Sequence, residues 1–162
     1  MKVGIIGCGR ISQVHFSALR ALPWVEVVGI CDANTEAAQN MAQRFGVEKV
    51  FASVDELLTQ AKPQAVHVLT PPPTHATLVR QAIEAECHVL VEKPITMDVA
   101  EAESLCSLAQ QKRVSLCVDH NRLFDPVVKK AKAIIRAGKI GEVISVDAYQ
   151  GFQRQALLDS TA

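Results

Sequence analysis

Apolar positions along this chain follow two rhythms that take turns. Short runs in which almost every residue is apolar, at Lys2–Gly7, Val25–Cys31, Ala65–Leu69, Cys87–Val91 and Val114–Val118, alternate with longer stretches of helical periodicity. The runs predict strands buried on both faces, and the stretches predict amphipathic helices. A first helix spans Ile11–Leu22, with Ile11, Val14, His15, Ala18, Leu19 and Leu22 on one side. A second covers Thr35 to Phe45 and stops at Gly46, and Ser53-Val54-Asp55-Glu56 reads as a capping box opening a short third. Pro71-Pro72-Pro73 turns the chain before a helix that runs to about Ala85, and Asp98 with Glu101 opens one that runs to about Gln110. This alternation predicts the α/β class: a doubly wound parallel sheet covered by helices on both faces.

After Asn121 the rhythm changes. Pro126–Ala137 reads as an amphipathic helix with Val127, Val128, Ala131, Ile134 and Ile135 on one face, closed by Gly138. Lys129, Lys130, Lys132 and Arg136 fit its solvated face and the negative end of its dipole. Glu142–Gln150 then reads as a strand and Gly151–Ala162 as irregular. One strand with a tail is not a domain. The expectation is a first domain over 1–121 and the beginning of a second, incomplete α/β domain over 122–162. A lone strand edge would invite pairing with another copy, so the expectation is either a homo-oligomer or disorder beyond about Phe152.

Composition narrows the partners. A chain of 162 residues can bury about 70% of its unfolded surface, enough for one full core. Basic and acidic residues balance at 17 each, so no field draws in nucleic acid or an anionic membrane. At 4%, the aromatics leave few platforms for stacking bases. The five cysteines, Cys8, Cys31, Cys87, Cys106 and Cys117, are scattered and odd in number. Those in strand runs read as small hydrophobes, and Cys117-x-x-His120 has too few ligands for zinc, so no metal is expected. No run reaches membrane-spanning length and no cleavage pattern follows the N-terminal apolar run, which points to a reducing, cytoplasmic setting.

In a doubly wound sheet, ligands bind beyond the carboxyl ends of the strands, so the residues just after each strand come first. Val3-Gly4-Ile5-Ile6-Gly7-Cys8-Gly9-Arg10-Ile11-Ser12 is a strand that turns at two glycines into a helix. Such a turn aims backbone N–H groups and the positive end of a helix dipole at one point, a cradle for a pyrophosphate. Gly7 permits the turn, Gly9 lets the backbone approach the phosphates, and Ser12 fills the position that usually holds Gly or Ala. Asp32, after the second strand, can accept from both ribose hydroxyls of an adenosine and repels a 2′-phosphate, or else it caps the next helix. No Lys or Arg stands at Ala33 or Asn34, which favours NAD over NADP. After Leu69, Thr70-Pro71-Pro72-Pro73-Thr74-His75 forms a rigid wall, with His75 either reaching the cleft or capping the helix it begins. Lys93 in Glu92-Lys93-Pro94 ends a buried strand. Partial burial there would lower its pKa and suit it to proton transfer. Asp119-His120-Asn121-Arg122 forms a polar edge after the last strand of the series.

Gly7-Cys8-Gly9-Arg10-Ile11 with His15, Thr70-Pro71-Pro72 with His75, Glu92-Lys93-Pro94, and Asn121-Arg122-Leu123-Phe124-Asp125-Pro126 leading to Gly138-Lys139-Ile140-Gly141 together resemble the Gfo/Idh/MocA oxidoreductases. The likeness runs over about residues 1–150. It implies a Rossmann domain that binds a nicotinamide dinucleotide, an α/β domain after it, and hydride transfer at a carbon of a sugar or polyol. Carried over, Gly7, Gly9, Arg10 and Ile11 line the pyrophosphate and Asp32 the ribose. Thr70, Pro71 and His75 flank the cofactor, Glu92 and Lys93 lie near nicotinamide and substrate, and Asn121 lies close to the nicotinamide. Lys93 corresponds to the family's catalytic lysine, whereas His15 reads as a packed residue near the cofactor.

The family's remaining acid and base, in an Asp-x-x-x-His arrangement, belong to its second domain and do not occur here. The expectation is an N-terminal portion that binds NAD with little turnover. The alternative is a non-catalytic sensor of nicotinamide nucleotides. A methyltransferase also fits Asp32 but leaves Glu92-Lys93-Pro94 without a role.

Overall fold

In the computed structural model, which describes residues 1–149, the apolar runs form β1 (Lys2–Ile6), β2 (Glu26–Cys31), β4 (Ala65–Val68), β5 (His88–Val91) and β6 (Leu116–Val118). A further strand, β3 (Val50–Phe51), has only two residues, too few to show a period in the sequence. All pairings are parallel and the strand order is β3-β2-β1-β4-β5-β6. The order reverses between β1 and β4, which opens a crevice at the carboxyl ends of those strands. The helices are α1 (Ser12–Arg20), α2 (Thr35–Phe45), α3 (Val54–Glu56, continuing as a π-type turn over Leu57–Ala61), α4 (His75–Glu84), α5 (Val99–Lys112) and α6 (Pro126–Arg136).

Strand alternation splits the core in two. Val3, Ile5 and Ile30 pack with Phe16 and Leu19 of α1 and Met41 of α2. Ile6, Val66, Val68, Val89 and Val91 point the other way, against Val79 and Ile83 of α4 and Leu105 of α5. Both faces are filled, which is why the central strands read as unbroken apolar runs. Phe16 is fully buried, and its ring stacks on Phe45 at 4.6 Å and 14°.

Helix starts follow the capping signals. Asn34 accepts from Ala37 N (3.1 Å), Ser53 from Glu56 N (3.1 Å) and Asp98 from Glu101 N (3.0 Å). The Glu56 carboxylate returns to Ala52 N rather than to Ser53, so the box closes one residue earlier than its usual form. α2 ends at Gly46 with a left-handed backbone, φ 70°.

The chain divides into two compact units, Met1–His120 and a second that begins at Asn121. Within the second, a 3₁₀ turn over Asn121–Phe124 leads into α6, which Asp125 caps by accepting from Val127 N at 3.0 Å. Gly138 (φ 67°) follows that helix and donates to Ile135 O. The strand expected over Glu142–Gln150 does not form across residues 142–149, and Gln150 lies outside the described residues. Ile144 is 96% exposed and Tyr149 98%. A strand is held by ladder bonds to a neighbour, and residues 142–149 have none among the described residues. The irregular stretch expected over Gly151–Ala162 also lies outside the described residues.

Candidate cofactor site

The turn after β1 is built tightly. Gly7 has φ 100°, and a Cβ on it would lie 2.8 Å from the Leu69 carbonyl carbon and 2.9 Å from Thr70 N. Only glycine fits that approach to the end of β4. Gly7 N donates to Cys31 O, and Leu69 N to Ile6 O, which ties the turn to both neighbouring strands. Ser12 is fully buried, and its hydroxyl donates to Gly9 O. A side chain at this third fingerprint position is thus accommodated by satisfying the loop.

Asp32 is half-buried and closes on the same loop. Its carboxylate accepts from Cys8 N (2.6 Å) and from Asn34 N (2.7 Å). The next helix is capped by Asn34, so the capping role the sequence allowed for Asp32 falls to its neighbour. The carboxylate takes one loop amide for itself. Among the described residues, the amides of Gly9, Arg10 and Ile11 donate to no other group of the protein. These donors sit at the head of α1, where its dipole is positive. Gly9 is exposed, and a Cβ on it would meet no protein atom within 4 Å. The fold itself therefore does not require glycine there.

A cavity of about 840 Å³ opens over this loop, lined by Gly7, Gly9, Arg10, Ile11, Asp32, Thr70 and Pro71 among others. Its volume is in the range of small-molecule and cofactor sites. Ala52, Ser53, Thr77 and Leu78 also line it. No cofactor motif marked these four, although Ser53 reads as a helix cap. The signal for Ala52 and Ser53 was positional, because they directly follow a strand too short to detect. Unpaired amides, an acid beside them and a wall of prolines fit a dinucleotide.

His75, Glu92 and Lys93 do not line this cavity. The His75 ring is fully buried and bridges two loops, Nδ1 to Pro94 O and Nε2 to Thr70 O, each at 2.7 Å. It positions the post-β4 and post-β5 segments rather than reaching into the cleft. Lys93 is exposed and precedes a cis peptide bond to Pro94. The burial expected of it falls instead on Glu92, 9% exposed, whose N–H still pairs with Val68 O. Lys93 lies past that last ladder bond, where the chain leaves the sheet. Asn121 is exposed and belongs to the second unit.

Glu92 instead joins a buried polar cluster. His15 Nε2 lies 3.3 Å from Glu92 Oε1 and 3.5 Å from Asp119 Oδ2, and His15 Nδ1 lies 3.1 Å from His67 Nδ1. Burial, reinforced by His15, pushes the His67 pKa down to about 4, so the ring is neutral at ordinary pH. Burial first, then the Glu92 charge, raises the Asp119 carboxyl. At the loop, burial, with the charge of Asp32 and then Cys31 adding to it, pushes the Cys8 thiol up to about 12. Cys8, Cys31 and Cys87 are buried, whereas Cys106 and Cys117 are exposed. Cys117, in a run expected to be buried, sits on the edge strand β6, where sheet coverage ends.

With the site in place, comparison with known proteins defines the class. Residues 1–120 match the family model for the oxidoreductase family with an NAD-binding Rossmann fold, GFO_IDH_MocA. The chain belongs to the Gfo/Idh/MocA oxidoreductases. It is 31% identical over 142 residues to a myo-inositol 2-dehydrogenase of Thermotoga maritima, covering 88% of this chain and 42% of that one. Its fold superposes on a scyllo-inositol dehydrogenase of Lactobacillus casei solved with NAD(H) and scyllo-inositol, with TM-score 0.81 and 26% identity over 88% of this chain and 42% of that one. It also superposes on a 3-ketoreductase of Actinomadura kijaniata solved with NADP, with TM-score 0.80 and 33% identity over 88% and 44%. The chain spans about 40% of the length of the curated relatives it matches. Among the described residues, no helix is long and apolar enough to cross a membrane.

Proposed function

We propose that this chain is the cofactor-binding portion of an NAD-dependent dehydrogenase that oxidises a CH–OH group of a sugar or polyol. The observation that carries the reading is the pairing of three unpartnered amides at Gly9, Arg10 and Ile11 with the Asp32 carboxylate beside them. The amides would bind the pyrophosphate. Asp32 would accept from the ribose hydroxyls while its charge turns away a 2′-phosphate, which supports NAD over NADP. Thr70 and Pro71 would hold the cofactor from the β4 side, and His75 would fix that loop from beneath. When bound, the nicotinamide supplies a hydride acceptor. Lys93 Nζ, in its amine form, would take the hydroxyl proton of the substrate, a role carried over from the family's catalytic lysine.

Residues 1–121 are proposed as the cofactor domain, and 122–162 as the start of a domain that holds substrate. Hydride transfer also needs the substrate carbon fixed against the nicotinamide, a positioning that is worth many orders of magnitude in rate. Nothing in the first unit supplies it, so this chain alone would bind cofactor with little turnover, in the cytoplasm. The alternative, a nucleotide sensor without chemistry, leaves Lys93 unused.

Titration of the chain with NADH and NADPH, in wild type and Asp32→Asn, tests the reading. Wild type should prefer NADH at least tenfold, and Asp32→Asn should narrow that preference. Equal affinity for both nucleotides in wild type would refute the role of Asp32, and rapid polyol oxidation by the chain itself would refute the missing substrate half.

A further inference from the structure

The buried cluster at the ends of β5 and β6 lies outside the cofactor cavity, and the family resemblance, which sets Glu92 near the nicotinamide and His15 near the cofactor, gives neither a metal to hold. We propose that His15, Glu92 and Asp119 form a binding site for a single divalent cation of the zinc type. Their ligand atoms come from three separate elements: His15 from α1, Glu92 just after β5, and Asp119 just after β6. All lie within 4.8 Å of one another.

The spacing favours a cation over a simple ion pair. Ligand atoms about 2.0–2.2 Å from a tetrahedral zinc stand roughly 3.3–3.5 Å apart. His15 Nε2 lies 3.3 Å from Glu92 Oε1 and 3.5 Å from Asp119 Oδ2, both within that range. Three protein ligands leave one position for water, and the partly exposed Asp119 side chain provides the entry path. His67 contributes the outer contact, since its Nδ1 at 3.1 Å engages the other nitrogen of the His15 ring and fixes the ring plane.

The donor set points the same way. One imidazole and two carboxyl groups, the Glu92 residue only 9% exposed, bring three ligand atoms from separate elements together away from most of the solvent, as a bound cation requires. A divalent cation would neutralise the carboxylates that hold it. It would clip α1 to the ends of β5 and β6. Imidazole nitrogen with two carboxylate oxygens suits zinc better than magnesium or calcium, which take oxygen ligands.

The test uses the 162-residue chain, stripped with chelator and carrying Cys106→Ser and Cys117→Ser, so that the exposed thiols cannot compete. Cobalt(II), a spectroscopic stand-in for zinc, is titrated in and read by visible absorption, and zinc is read by the rise in melting temperature. The proposal expects one equivalent bound with a low-micromolar or tighter dissociation constant and the intense bands of four-coordinate cobalt. Asp119→Asn, which keeps size at a partly exposed position, should weaken binding at least tenfold and abolish the zinc-induced rise, and His15→Gln should do the same if it folds. No stoichiometric binding would overturn the site. Binding unchanged in Asp119→Asn would place the cation elsewhere and overturn it equally. NADH binding is measured in parallel, so loss of either function is seen independently.

Discussion

Gly7 and Gly9 stand two residues apart, yet the structure gives them different burdens, and substituting each with alanine separates fold from function. At Gly7 the backbone sits at φ 100°, and an added Cβ would lie 2.8 and 2.9 Å from backbone atoms of Leu69 and 2.9 Å from Thr70 N. A side chain in this left-handed region costs about 1–2 kcal/mol. Relieving contacts against backbone adds the cost of overpacking, about 1–3 kcal/mol. Gly7→Ala should therefore lose about 2–5 kcal/mol, a fall in melting temperature of about 5–20 °C for a chain of this size. At Gly9 the added methyl meets no protein atom within 4 Å, so stability should stay within about 0.5 kcal/mol of wild type. Gly9 lines the cavity beside the unpaired amides, so Gly9→Ala should weaken NADH at least tenfold, about 1.4 kcal/mol. Scanning calorimetry and NADH titration on both variants read the two effects. If Gly7→Ala melts with wild type, or Gly9→Ala binds NADH unchanged, the assignment of the loop is wrong.

Other outcomes follow from the packing and the titrating groups. Under native conditions at pH 8, a thiol reagent should modify Cys106 and Cys117 quickly and Cys8 hardly at all. With its pKa at about 12 rather than 9.0, only about one Cys8 in 10⁴ is thiolate, and that fraction rises with pH toward 12. Fast labelling of Cys8 in the folded protein, mapped by mass spectrometry, would contradict its burial. Replacing His75 with leucine strands the carbonyls of Thr70 and Pro94 and should cost about 2–4 kcal/mol in denaturant unfolding, whereas a loss under 1 kcal/mol would argue against the bridge. Phe16→Ala, deleting a fully buried ring stacked on Phe45, should cost about 3–5 kcal/mol by the same measurement.

Much of the fold was legible because both sheet faces are covered. Continuous apolar runs and capping residues at Ser53 and Asp98 are local signals, and they marked the strands and two helix starts, whereas the cap of α2 is Asn34 and not the Asp32 that the sequence offered. What failed was whatever depends on a partner. Val50–Phe51 becomes a strand only because β2 lies beside it, and residues 142–149 are not one because no neighbour among the described residues pairs with them. The candidate site divides in the same way. The glycine loop, Asp32, Thr70 and Pro71 were found because they directly follow strands, and they meet at one cavity. Asp32's grip on Cys8 N was invisible, since it depends on the twist that brings two loops together.

The His15–Glu92–Asp119 cluster needed the strand register as well as the parity of facing residues. β4 sends Val66 and Val68 to one face and His67 to the other. The register Val91↔Val118 then puts Glu92 and Asp119 side by side, one step further along the strands. Lys93 misled because a charged residue after an apolar run was taken to share its burial. The chain had already left the sheet.

The central claim is that free amides at the head of α1 receive the phosphates of a nicotinamide dinucleotide. Amide proton and nitrogen shifts followed by NMR while NADH is added to the labelled chain test it most directly. The account predicts saturable shifts at Gly9, Arg10 and Ile11, with Lys2 and Lys49 at the opposite ends of the strands unmoved. Saturation that leaves those three amides in place while others move would contradict it.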